Sequence, residues 1–164
     1  MFIFSFKTSR RRLFILGILA VAFVIILAAF FALIRSGSRE AVCPWGKYKL
    51  SARDNAERVE FLKQFGWEVS PEPTEISTVT IPAEFNSTYE KYNDIQRKQG
   101  LDLSRYQEKN CTRYTYQILN YKDASQGVRA NILVLNDKVI GGDVSSVLLN
   151  GFIHGFYNPD KVHA

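Results

Sequence analysis

Few side chains in this chain could do chemistry. Cys111-Thr112-Arg113, followed at a distance by His154, supplies a thiol, a guanidinium and an imidazole. A cysteine transpeptidase on a small extracytoplasmic β-domain uses those groups, with His or Arg favouring the thiolate and Arg steadying the developing oxyanion. The order argues against it. Such enzymes place the histidine before the cysteine, and both histidines here, His154 and His163, follow it. Glu108-Lys109-Asn110, just ahead of the cysteine, does not match their motif either. Asp143, Ser145 or Ser146, and His154 make a second set. Asp143 and Ser145 are spaced to share a strand face, but no nucleophile elbow accompanies them, and Ser and Asp near a strand end are commonly turn residues. No Cys/His cluster has zinc spacing, no acidic run resembles a calcium loop, and no glycine-rich loop leads into Lys-Ser/Thr. The expectation is a chain without cofactor or metal. A small envelope enzyme using Cys111 or the Asp143/Ser145/His154 region is the alternative.

The remaining candidates are structural or binding residues. Cys43 and Cys111 could form a disulfide in an oxidising compartment, closing a loop of about 70 residues worth about 4 kcal/mol in the chain-entropy model. Two lone cysteines make no framework, so both pairing and free thiols stay open. Trp67, Tyr114, Tyr116, Asp143 and His154 are the candidates for a partner or ligand surface. The aromatic side chains would line a sugar or peptide groove or else fill the core.

These residues must be carried by something, and the N-terminal third says where. Leu13 to Ile34 is 22 residues without a charge or a hydrogen-bonding side chain. As a helix it is about 33 Å long, enough for a hydrocarbon core of about 30 Å. It is too long for a cleaved signal peptide, and it leaves through Phe31-Ala32-Leu33-Ile34-Arg35 without a small-residue cleavage box. The reading is a signal-anchor: residues 1–12 a basic cytoplasmic tail, 13–34 a single span in membrane lipid, 35–50 a juxtamembrane linker, 51–157 an α+β domain, and 158–164 a tail. Lys7, Arg10, Arg11 and Arg12 precede the span with no acid among them, which places the N-terminus in the cytoplasm and the domain outside. The inverted orientation is the rival.

Charge confirms the division. Four of the 21 basic residues precede the span, so 17 share the rest of the chain with all 16 acidic ones. A nearly neutral, interspersed surface lacks the basic stripe of a nucleic-acid binder.

Within the domain, Ala52, Ala56, Val59, Leu62 and Phe65 recur at helical spacing, with Ser51 or Asp54 as cap and Gly66 just past the end. Glu75 to Ile81 alternates as a strand. Pro82 starts a second helix reaching about Gln99, with Phe85, Tyr89, Tyr92 and Ile95 as its buried stripe. Cys111–Tyr121, Val128–Leu135 and Lys138–Val147 are strands, the last two joined at Asn136-Asp137. Gly141-Gly142 marks a bulge or a close backbone approach. The fold expected is α+β: one transmembrane helix, then two helices packed on one face of an antiparallel sheet.

The strings Phe65-Gly66-Trp67-Glu68-Val69, Thr80-Ile81-Pro82, Asp102-Leu103-Ser104-Arg105-Tyr106, Arg113-Tyr114-Thr115-Tyr116, Val128-Arg129-Ala130-Asn131, Lys138-Val139-Ile140-Gly141-Gly142-Asp143 and Gly151-Phe152-Ile153-His154-Gly155-Phe156 are similar to a clostridial family, domain of unknown function 4830. The resemblance spans about Ala52 to Phe156. It implies a short Gram-positive protein, N-terminally anchored or secreted, and implies no activity. The resemblance implies that relatives often carry Cys where this chain has Ser145, which puts a thiol role at that position in doubt. The function expected is therefore a non-catalytic interaction or assembly module at the outer membrane face, with an envelope protein or a peptide as partner, paired at a sheet edge, and no nucleic acid.

Overall fold

The structure is a computed structural model and describes residues 10–35, 39–122, 127–148 and 150–158. The chain divides into two compact units, Met1–Ser38 and Arg39–Ala164. Most of the expected basic tail, Ser36-Gly37-Ser38 of the linker, and residues 159–164 with His163 lie outside the described residues.

The first unit contains one helix, α1 (Arg10–Arg35). Its side chains are described at Ile15 and over 17–28. Among the described residues no helix is long and apolar enough to cross a membrane. Phe23, Val24, Ile25 and Ile26 are consecutive, so they cover a full helical turn, and each is at least 63 % exposed. α1 therefore shows apolar side chains on every side.

The second unit opens with a hairpin in place of the expected linker. β1 (Glu40–Cys43) and β2 (Gly46–Lys49) pair antiparallel across a turn that contains Pro44 and Trp45. Ala41, Cys43, Tyr48 and Leu50 alternate inward and join the core. Leu50 then accepts from the N–H of Val139, and Ala52 donates to Asp137, which ties this segment beside residues 137–139.

α2 (Asn55–Lys63) is shorter than Ala52–Phe65. Asp54 caps it by accepting from Glu57 N–H at 2.8 Å, and the Glu57 carboxylate accepts from Arg53 N–H. Gly66 takes the expected positive φ of 79°. The buried face is Arg58, Phe61 and Leu62 with Phe65 half-buried, and Ala56 is exposed. α3 (Ser87–Lys98) begins at an Asn86 cap, not at Pro82.

β3 (Glu75–Thr80), β4 (Asn110–Gln117), β5 (Val128–Leu135), β6 (Lys138–Ser146) and β7 (Ile153–His154) form one antiparallel sheet in that order. Asn136 and Asp137 both take positive φ, which closes a two-residue hairpin. The β5–β6 register shifts between Leu133 and Val134, which leaves Ile140 bulged just before Gly141-Gly142.

The helices do not share a face of the sheet. One core cluster holds Phe61, Leu62 and Trp67 against Tyr116, Ala130, Ile132 and Val144. A second holds Leu103, Cys111, Leu133 and Ile140, with Phe85, Tyr89 and Tyr92 of the α3 region packed on it. The architecture is α+β with the sheet covered on both sides.

Candidate functional site

The residues proposed as a ligand surface are mostly core. Trp67 is 2 % exposed and donates its indole N–H to the carbonyl of Phe156 at 2.6 Å. Tyr116 is fully buried. Its hydroxyl donates to Asn55 Oδ1 at 2.8 Å and accepts from Arg58 Nε at 3.0 Å. Tyr114 lies under the Arg58 guanidinium, 3.9 Å from ring centre to carbon. A sugar or peptide groove on this strand face is therefore overturned: α2 covers it, and its polar handles are used internally.

Asp143 is also buried, on the α3 side. One carboxylate oxygen accepts from Tyr92 Oη and the other from Asn131 Nδ2, both at 2.9 Å. Asn131 Oδ1 accepts from Thr115 Oγ1 at 2.9 Å, and its Nδ2 also reaches Ser145 Oγ at 3.3 Å. The register explains the set: Thr115, Asn131 and Asp143 lie opposite one another on three adjacent strands. Burial holds the Asp143 carboxyl above the ordinary aspartate range, against the downward pull of Asn131, Tyr92, Ser145 and Arg113. Tyr92 is raised well above the usual phenol value by burial first and by Asp143 second, so it is a proton donor at physiological pH. Both polar ends of the carboxylate are spoken for, and this is the environment of a structural polar network rather than of an open base.

His154 does not join Asp143 and Ser145. It pairs with Val144 in the ladder, and successive strand residues face opposite sides. Its ring stacks on Phe152 at 5.2 Å, and its Nδ1 lies 2.6 Å from the Gly155 carbonyl oxygen. Cys111 stands apart from it, on β4 and three strands away, in the second core cluster. Its thiol donates to the Val79 carbonyl, and burial raises its pKa. Neither catalytic set is brought together. Cys43 and Cys111 are both free and buried, in different clusters on opposite sides of the sheet, so the disulfide is overturned. Among the described residues no three His, Cys, Asp or Glu converge on a metal site.

Sequence reasoning missed the polar interior of α3. Asn93, Gln96 and Gln99 share a face at a spacing of three and are buried. Asn93 accepts from Leu103 N–H at 2.8 Å and donates to Asp102. Gln96 Oε1 accepts from the N–H of Gly142, and Gln99 Nε2 donates to the carbonyl of the same residue at 3.2 Å. Gln99 Oε1 accepts from Phe156 N–H at 2.6 Å. Two side-chain amides thus satisfy β6 at Gly142, where no strand among the described residues does.

Among the described residues two surfaces remain. A cleft of about 400 Å³ is lined by Trp45, Ile95, Lys98, Ile153, His154 and Tyr157, with Trp45 and Tyr157 4.8 Å apart between ring centres. The other is the outer edge of β3. Along β4 the residues hydrogen-bonded to β5 are the even ones, as the bond from Ile118 N–H to the Val128 carbonyl shows. The odd ones therefore serve β3, through Glu75, Ser77 and Val79. Ile76, Thr78 and Thr80 point their backbone groups away from the sheet, and Ile76 is 60 % exposed.

Residues 61–144 match the model of a family described as Domain of unknown function (DUF4830). No curated protein and no solved structure matches the chain.

Proposed function

The chain belongs to the DUF4830 family, and we propose that it is a membrane-anchored, extracytoplasmic interaction module that works without catalysis. The observation that carries this reading is α1. A helix in water buries at least one apolar stripe, whereas Phe23 to Ile26 expose a whole apolar turn. Lipid is the solvent that such a surface fits. Lys7, Arg10, Arg11 and Arg12 before the span favour a cytoplasmic N-terminus, which puts the α+β domain outside.

The interaction role is supported by the uncommitted edge of β3. An extended segment laid there gains main-chain hydrogen bonds from Ile76, Thr78 and Thr80. The separation of Cys111 from His154, and of His154 from Asp143 and Ser145, leaves the envelope-enzyme alternative without an assembled site.

The test is a photoreactive residue placed at Thr78 or, as control, at exposed Ser87 in the full chain, activated on intact cells. A discrete adduct from Thr78 but not from Ser87 is expected. Equal adducts from both positions, or none from either, contradict the edge as the working surface.

A further inference from the structure

The two ends of the sheet are treated differently. At the β7 end, the edge strand is two residues long. The rest of β6 is closed by the side chains of Gln96 and Gln99 and by the backbone of Leu50. Short edge strands and covered ladders are how proteins prevent unwanted pairing. At the other end, β3 runs six residues with no lysine, no proline and no bulge. Pro73 and Pro82 flank it but do not interrupt it. Its sequence, Glu-Ile-Ser-Thr-Val-Thr, combines high β-propensity with a single charge.

We propose that this edge is closed by β3 of a second copy of the chain, running antiparallel about a two-fold axis at Thr78. The proposal rests on the interaction-module reading and names its partner. The pattern is self-complementary. The outward residues are Ile76, Thr78 and Thr80, so the register that hydrogen-bonds them sets Thr78 opposite Thr78 and Ile76 opposite Thr80 of the other copy. About six backbone hydrogen bonds form. Threonine pairs and threonine–isoleucine pairs are favourable cross-strand neighbours. Glu75, the one charge, falls opposite Ile81 instead of its own copy, and it is already paired with Arg113 at 2.6 Å. An isologous contact of this kind closes on itself and cannot propagate into a fibre. Anchoring both copies in one membrane raises their effective concentration.

The experiment uses the full chain in neutral detergent and in native membranes. Sedimentation velocity is expected to show a dimer, and Thr78→Lys, an exposed change that leaves the β4 ladder intact, weakens it at least tenfold, with thermal unfolding unchanged at a concentration low enough that both proteins are monomeric. Ile76→Arg serves as a second variant and loses the dimer in the same way. In membranes, Thr78→Cys gives a copy-to-copy adduct with a short bis-maleimide, and Lys91→Cys on α3 does not. A chain that sediments as a monomer at all concentrations overturns the proposal, as does a dimer that Thr78→Lys leaves unchanged. A monomer that still gives a discrete heterologous photoadduct from Thr78 overturns self-pairing alone, while loss of that adduct too overturns the module reading beneath it.

Discussion

The side-chain oxygen of Gln96 accepts the backbone N–H of Gly142 at 2.8 Å across 46 positions of sequence. It joins the last turn of α3 to the edge of β6, where Gln99 completes the cover. Removing the acceptor leaves a buried donor unpaired, which costs about 1–3 kcal/mol in addition to the lost packing. Gln96→Ala is therefore expected to lower stability by about 2–4 kcal/mol in urea unfolding. A loss under 1 kcal/mol would mean that water or another group replaces the amide.

Gly142 answers for the other side of that contact. Its φ is 153°, and a Cβ there would stand 2.2 Å from the Asn131 carbonyl oxygen and 2.3 Å from Phe156 Cζ. Backbone cannot yield as a flexible side chain does. Gly142→Ala is expected to cost at least about 3 kcal/mol, read as a large fall in thermal midpoint, whereas an alanine at Gly46, with φ 132° and nothing within 4 Å, meets backbone strain without a clash and costs less.

Asp143 makes the stability depend on pH. Its folded pKa is raised, first by burial. Its favourable contribution is full below the ordinary aspartate range and is lost as pH rises through the raised folded value. Asp143→Asn has no such titration. Urea midpoints of the two proteins at pH 4 and pH 7 should show the variant gaining on wild type as pH rises. The opposite trend would mean that Tyr92 and Asn131 lower the carboxyl more than burial raises it.

Tyr92 holds the carboxylate with a protonated hydroxyl. Tyr92→Phe removes a hydrogen bond to a charged group, worth about 1.5–3 kcal/mol at neutral pH. Because the phenylalanine leaves the Asp143 carboxyl less supported, the loss is expected to shrink in acid. A pH-independent loss would assign the effect to packing alone.

Much of this fold could be read in advance, and the misreadings have physical causes. β3 to β6, the Asn136-Asp137 turn and the Gly66 cap follow from β-branched and apolar runs bounded by turn residues, which are local signals. The β1–β2 hairpin was hidden because Pro44 and Gly46 read as chain breakers when they make a turn. Placing both helices on one face overlooks Ile132-Leu133-Val134-Leu135, a continuous apolar run that marks a strand covered on both sides. α3 was assigned an aromatic stripe, and the polar Asn93, Gln96 and Gln99 that it buries were invisible, because their partners lie on Asp102, Leu103, Gly142 and Phe156. Arg58 on α2 was missed for the same reason, its partners being Tyr114 and Tyr116. Of the candidate site, Asp143 and Ser145 did share a face, and His154 did not, since the β6–β7 register decides that and spacing does not.

The proposed function turns on whether α1 anchors the domain outside the cell. Cys43 and Cys111 are buried and stay silent toward a thiol reagent in the folded protein, so a single reporter can be added at exposed Lys91. Lys91→Cys in the full chain, treated on intact cells with a membrane-impermeant maleimide, is predicted to label before lysis and to the same extent after it. Labelling that appears only once the cells are lysed would put the domain in the cytoplasm and contradict the extracytoplasmic reading.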